Sequence, residues 1–188
     1  MSSEIHAILR RIKPEKRRGP LVPRRVSELP FLDHLEKFPT KLLYDTTVYI
    51  DILQGTFPRD GQFVLRAAEA WHSSICGAEL ATPCGFLDPH DSRTSSAVKQ
   101  IVATIEAQPV HRTLTPDPEI WLEAAILSGL LSRLQSYPAI ERRRLLNDAL
   151  LFSTARKHGL TVLTRNSRDF DLLQQIEPLG RVLFYSRN

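Results

Sequence analysis

The sequence predicts a single α/β domain built on a central, mainly parallel sheet with helices on both faces. Three observations predict it. Short apolar runs alternate with longer helical patterns along the chain, the signature of a parallel sheet. The run Leu42-Leu43-Tyr44 is apolar without alternation, as a buried strand is, and stops at Asp45. A second acid, Asp169, falls a few residues past the strand 160–164, and the carboxyl edge of such a sheet is where ligands bind. The chain has 188 residues, 42% of them hydrophobic, enough for one well-buried core.

The body starts at Lys41. After the strand 42–44, Val48, Tyr49, Ile50, Ile52 and Leu53 recur at helical spacing, and Gly55, Pro58 and Gly61 close the unit. Residues 63–71 read as a helix, 73–76 as a short strand leading into 77–80, and 83–89 as loop. Residues 95–107 form a helix with Val98, Ile101, Val102 and Ile105 on one face. Val110 opens a short strand. The helix 118–134 has Pro118 in its first turn and Glu119 at its positive end. Its apolar side can serve the core or a dimer face. The helix 141–159 ends in His158-Gly159, a stop signal. A strand over 160–164, a loop, a short helix over 170–175 and a last strand over 181–185 complete the pattern.

Residues 1–40 read as a separate basic extension. Pro14, Pro20, Pro23, Pro30 and Pro39 break any long helix, leaving an amphipathic stretch over 2–12 (Ile5, Ile8, Leu9, Ile12) and one or two turns within 31–38. Residues 1–25 hold eight basic residues against two acidic ones, a net of +6 where the whole chain carries +4, so the remainder sums to −2. Such an arm either holds phosphates by counterion release or is a solvated tail.

Cys76 and Cys84 form no metal-binding pattern, and Cys76 sits in an apolar run as a small core residue does. No run of apolar residues is long enough to span a membrane. The N-terminus lacks the apolar stretch of a secretory signal, so a cytoplasmic protein is expected.

Four acids stand at telling places. Asp45 ends the first strand, Asp169 follows the strand 160–164, and Glu79 follows an apolar stretch. Asp148 lies among Leu145, Leu146, Leu150 and Leu151, where a carboxylate is costly without a partner. Each has a plainer reading: Asp45 as a helix cap, Asp148 paired with Arg144 one turn earlier, Glu79 solvated, Asp169 a loop or cap residue. Taken as a set, they suggest a site for a divalent cation, because converging carboxylates repel unless a cation sits among them. Hard oxygen ligands without histidine favour Mg²⁺ or Mn²⁺, which can activate water and polarise a phosphodiester.

The segments 42–53 (LLYDTTVYIDIL), 73–81 (SSICGAELA), 147–170 (NDALLFSTARKHGLTVLTRNSRDF) and the terminal RVLFY resemble the motifs of PIN-domain nucleases, and among them of VapC-type toxins of type II toxin–antitoxin pairs. The resemblance covers 41–188 and is most specific over 147–170. It implies a three-layer α/β/α fold, with Asp45, Glu79, Asp148 and Asp169 as metal-binding and catalytic acids. Thr164 and Asn166 would orient water or a phosphate. Where the family often has Asn two residues after the first acid, this chain has Thr47, and some members carry an acid where Asn166 stands.

The function so implied is a Mg²⁺- or Mn²⁺-dependent endoribonuclease leaving 5′-phosphate and 3′-hydroxyl ends, with RNA as substrate, a cognate antitoxin as partner and often a homodimeric state. Two other classes stand beside it. One is a nucleic-acid-binding module with a silent site, using the basic arm. The other is a different metal-dependent phosphoryl hydrolase, such as a DNase. No phosphate-binding or dinucleotide-binding glycine loop is present in the sequence.

Overall fold

The computed structural model describes residues 2–35 and 37–187. Within them five strands form one sheet: β1 (Lys41–Tyr44), β2 (Glu69–Ser73), β3 (Thr113–Leu114), β4 (Thr161–Thr164) and β5 (Arg181–Phe184). Their order is β3-β2-β1-β4-β5 and every pairing is parallel. Among the described residues eight α-helices surround it: α1 (Ser2–Ile12), α2 (Thr46–Leu53), α3 (Arg59–Ala67), α4 (Ser74–Phe86), α5 (Thr94–Glu106), α6 (Pro118–Gln135), α7 (Arg142–Lys157) and α8 (Ser167–Ile176). Contacts sort most of them into two groups, α2, α4 and α5 in one and α1, α6, α7 and α8 in the other. Parallel strands joined by right-handed crossovers sort helices in this way as a rule, and the result is the expected three-layer α/β/α architecture.

The chain builds β1, β2 and β3 outward in one direction, then returns to place β4 on the other side of β1. The strand order therefore reverses between β1 and β4, and a crevice opens at their carboxyl ends. Register fixes what lies there: Leu42, Leu43 and Tyr44 face Thr161, Val162 and Leu163, and the ladder continues one step as Asp45 N donates to Leu163 O at 3.0 Å.

Helix α6 starts at Asp117, whose side chain accepts from Ile120 N at 3.0 Å, with Pro118 in the first turn. Its Ile120, Ala124, Leu127 and Leu131 are buried within the chain's own core, so its apolar side is a core face. Helix α7 stops at His158, and Gly159 follows at φ +66°, a left-handed conformation that glycine adopts without steric cost. Cys76 is buried and Cys84 exposed. Among the described residues no helix is long and apolar enough to cross a membrane.

Several elements differ from the sequence expectation. The helix expected over 63–71 is α3, over 59–67, and 69–73 is strand. Pairing with β1 (Glu69 against Lys41, Ala70 against Leu42, Trp71 against Leu43) holds that segment extended. Of the strand expected over 73–76 only Ser73 is strand, the end of β2; Ser74 starts α4, because the Ser73 side chain accepts from Ile75 N and caps a helix. That helix runs through Pro83 to Phe86, into the segment expected as loop. The turn at Val110–Arg112 precedes β3 rather than forming it. Helix α8 starts at Ser167, so Asp169 lies in its first turn and not in a loop.

The described part of the N-terminal segment docks on the body at several points and is no free solvated tail. Ile8 and Ile12 of α1 are buried against α6. Arg11 bonds the buried carboxylates of Glu177 and Glu123, the latter at 2.6 Å, and Arg156 completes the cluster at 2.8 Å from Glu123. Arg24 holds buried Asp171 through its Nε at 2.6 Å and its backbone N at 2.8 Å. Leu29, Phe31 and Leu32 are buried, and Phe184 N donates to Pro30 O at 2.8 Å, with Phe31 bridging Phe184. The segment thus covers the otherwise open edge of β5. Within 31–38 one short turn forms, at Leu32–His34, and Glu36 lies outside the described residues. Ile12→Ala is expected to lower the unfolding free energy by about 2–4 kcal/mol in a urea titration, where a solvated arm would give no change.

Candidate active site

The four acids are linked through neutral donors around the carboxyl edge of β1 and β4. Asp45 leaves β1 in an extended conformation and caps α2, so the helix-cap reading and the site position coincide. Its Oδ1 accepts from Thr46 N at 2.7 Å, and its Oδ2 accepts from the hydroxyls of Thr47 and Thr164, each at 2.7 Å. Thr47 therefore serves Asp45 where the related pattern often has Asn. Thr164 Oγ1 also accepts from Asn166 N at 2.9 Å.

Asp148 projects from α7 and is buried. No ion pair joins it to Arg144. Instead Asn166 Nδ2 donates to Asp148 Oδ2 at 3.1 Å and to Asp169 Oδ2 at 3.0 Å, tying the two carboxylates together. Asp169 also accepts from the Tyr137 hydroxyl at 2.7 Å, and its backbone N donates to Asn166 Oδ1 at 3.3 Å, which caps α8. Glu79 is half-buried on α4 and not freely solvated. Its Oε1 accepts from Asn147 Nδ2 at 2.7 Å and its Oε2 from the Thr46 hydroxyl. Thr46 thus links the Asp45 and Glu79 sides, and Asn147 stands next to Asp148.

These carboxylates feel one another. Burial raises the Asp148 carboxyl well above its ordinary range, and the charges of Asp45, Asp169 and Glu79 add to it, with Arg144 opposing. Burial also raises Asp45, aided by Glu79 and countered by the bonds from Thr164, Thr47 and Thr46. Burial and Asp169 keep the Tyr137 hydroxyl protonated, as its role of donor requires.

Among the described residues no three His, Cys, Asp or Glu side chains converge closely enough to make a ready cage for an ion. The donor set still fits Mg²⁺ or Mn²⁺. It is all oxygen, two of its acids are buried, and Mg²⁺ usually keeps several waters while bound through one or two carboxylates. Asp45 and Asp148 are the residues able to hold such an ion, with Glu79 and Asp169 within electrostatic reach.

Sequence reasoning missed several residues that build the site. Thr46 and Asn147 stand beside the acids they serve, inside segments already singled out, but their bonds need the tertiary fold. Tyr137 follows the end of α6, where Ser136 takes a left-handed φ of 53°, and nothing in its neighbourhood marks it. Asp51 was also missed: it is fully buried in α2 and bonded by Arg165 Nε at 2.8 Å, Arg187 Nε at 2.7 Å and the Tyr185 hydroxyl at 2.8 Å. Burial works against its charge, but those donors outweigh it and hold the carboxyl below its ordinary range. An acid inside an apolar helix was the available signal, as for Asp148.

No protein-family model and no curated protein matches the sequence. Solved structures match the fold. FitAcB from Neisseria gonorrhoeae aligns at 19% identity over 76% of this chain and 96% of that chain, with a TM-score of 0.54. VapBC2 from Rickettsia felis, bound to a DNA fragment from its promoter, aligns at 15% identity over 77% and 98%, with a TM-score of 0.53. DNA-bound VapBC from Salmonella typhimurium aligns at 19% identity over 78% and 98%, also at 0.53. At these identities the likeness is one of fold. The chain has the PIN-like fold of the VapBC and FitAB complexes, as its motifs led one to expect.

The raised Asp148 carboxyl makes a stability prediction. A carboxyl raised on folding favours the folded state below its unfolded pKa, and that contribution is lost as pH rises through the folded value. In EDTA the protein is therefore expected to melt lower at pH 8 than at pH 5.5 on account of this group. Asp148→Asn should remove much of that loss and raise Tm at pH 8, by about 2–4 °C per 1 kcal/mol relieved. Differential scanning calorimetry of both proteins in EDTA checks it.

Proposed function

We propose that this protein is a Mg²⁺- or Mn²⁺-dependent endoribonuclease and the toxin of a toxin–antitoxin pair. The observation that carries the reading is how the acids are partnered. Among the described residues, the buried acids outside the site are all ion-paired to arginine: Asp51 to Arg165 and Arg187, Glu123 to Arg11 and Arg156, Asp171 to Arg24, Glu177 to Arg11. Among the described residues, the hydrogen bonds to Asp45, Glu79, Asp148 and Asp169 come from hydroxyls, amides and backbone N–H, and none from a charged side chain. Neutral donors fix a carboxylate without cancelling its charge, which leaves that charge for a cation.

In this reading Asp45 and Asp148 hold the ion, and Glu79 and Asp169 steer water and the phosphate toward it. What the ion supplies when bound is charge neutralisation at the phosphodiester and activation of water. Thr47 and Thr164 lock the Asp45 rotamer, Asn147 and Thr46 aim Glu79, and Tyr137 with Asn166 aims Asp169. Water attacks phosphorus in line, the 3′-oxygen leaves and takes up a proton, and the products are 5′-phosphate and 3′-hydroxyl ends. The complexes of like fold contain a second protein, and we assign this chain an antitoxin that covers the acidic crevice. The silent-site alternative loses support because Arg11 and Arg24 of the basic arm are engaged within the fold.

The test is cleavage of mixed cellular RNA and of single- and double-stranded DNA by the purified protein with Mg²⁺, Mn²⁺ or EDTA. RNA cuts bearing 5′-phosphates are expected with metal alone, and a loss of about a thousandfold in Asp45→Asn and Asp148→Asn. Cuts in DNA but not RNA would make it a DNase, and cuts undiminished in both variants would move the chemistry elsewhere.

A further inference from the structure

A cavity of about 200 Å³ adjoins the acidic crevice, lined by Tyr137, Glu141, Arg144, Asn166, Arg168 and Asp169 among others. Asn166 and Asp169 form the shared wall, since Asn166 Nδ2 touches Asp148 on one side and Asp169 on the other. Two guanidinium groups face this space from different helices, Arg144 from the first turn of α7 and Arg168 from the first turn of α8. Both are exposed, and among the described residues neither is in an ion pair. That contrasts with Arg11, Arg24, Arg156, Arg165 and Arg187, all spent on buried acids.

Arg168 is also positioned. Its guanidinium lies 5.0 Å from the centroid of the Tyr137 ring, a stacking arrangement that orients the planar fork. Tyr137 is itself fixed by its hydroxyl bond to Asp169 at 2.7 Å and by its backbone N bonding Ser132 O at 3.0 Å. The left-handed Ser136 delivers it there.

We propose that this cavity is a subsite for an RNA phosphate next to the scissile one, gripped by Arg144 and Arg168. The proposal rests on the nuclease reading of the acidic crevice, because a strand whose phosphodiester lies at Asp45 and Asp148 carries its neighbouring phosphate past the Asn166 wall. Planar guanidinium groups suit phosphate oxygens through paired hydrogen bonds. Glu141 and Asp169 on the same cavity bar a loosely held polyanion and favour one that meets both arginines. An acidic peptide is the competing occupant. It lacks the continuity with the crevice that a nucleic-acid strand has.

The experiment measures binding of a short, labelled single-stranded RNA of mixed sequence by fluorescence anisotropy, in an Asp45→Asn background with Mg²⁺. Arg144→Ala, Arg168→Ala and Arg168→Lys are compared with Arg143→Ala, an exposed neighbour outside the cavity. Each alanine variant at 144 and 168 is expected to weaken binding roughly tenfold and to flatten the salt dependence of log Kd by about 0.7. Arg168→Lys should recover only part, and Arg143→Ala should change little. In the Asp45-intact protein the same two alanine variants should raise KM more than they lower kcat. Equal effects from Arg143→Ala would reduce the subsite to general charge and overturn it. Retention of RNA binding together with loss of polyglutamate binding would overturn it in favour of an acidic peptide. Cleavage by the unsubstituted protein with Arg144→Ala and Arg168→Ala kinetics unchanged would also sink the subsite while leaving the nuclease reading intact. RNA binding that depends on both arginines, without cleavage by the unsubstituted protein, would overturn the nuclease reading and with it the place beside a scissile bond, leaving the two arginines as a phosphate site alone.

Discussion

Uncancelled negative charge at the end of β1 is the constraint around which the rest of the molecule is arranged. Asp45 is buried and raised by burial and by Glu79, and its own charge raises Asp148 in turn. Left to relax, such groups would move apart or take up protons. Neither main chain can yield. Asp45 is held in the β1–β4 ladder through Leu163 O, and Asp148 sits on a helix whose Leu145, Ala149, Leu150 and Phe152 are buried. Repulsion is thus built into the sheet and its covering helix, and only a cation or a proton relieves it.

The surplus basic charge of the N-terminus has a different use. Two arginines and two glutamates (Arg11, Arg156, Glu123, Glu177) form a cluster between α1, α6, α7 and the end of α8. Removing one partner from such a buried set leaves a bare charge and costs about 3–5 kcal/mol. The cluster fixes where α1 docks, and Ile8 and Ile12 supply the apolar area that holds it there. The same segment then runs along β5 and closes the sheet edge. A composition count sees net charge but cannot see that Arg11 and Arg24 have acids waiting inside the body.

What the sequence revealed, it revealed through local pattern. β1, α2, α6, α7 and β4 were legible because their apolar spacing, caps and stops are local, and the four acids were found because three of them interrupt or end apolar runs. The errors came where tertiary pairing overrode that pattern. Residues 69–73 are strand only because β1 lies alongside, and Ser73 turns the next residues into a helix. The supports of the site were not legible at all. Thr46, Asn147 and Tyr137 are ordinary polar residues, and their meaning depends on Glu79 and Asp169 arriving from tens of residues away in sequence.

Those supports also join the acids into one object. Thr46 links α2 to Glu79 of α4, Asn147 links α4 to α7, and Asn166 links Asp148 of α7 to Asp169 of α8. No acid can shift without pulling a donor that serves another, so the constellation is held from several elements at once. Behind it, Asp51 draws Arg165, Tyr185 and Arg187 together, which ties α2 to the residues that follow β4 and β5. Arg165 N in turn donates to Thr47 Oγ1 at 3.2 Å, the hydroxyl that serves Asp45. The ion-paired acid thus anchors the frame while the unpaired acids keep their charge, and the division of labour among carboxylates follows from which of them an arginine can reach.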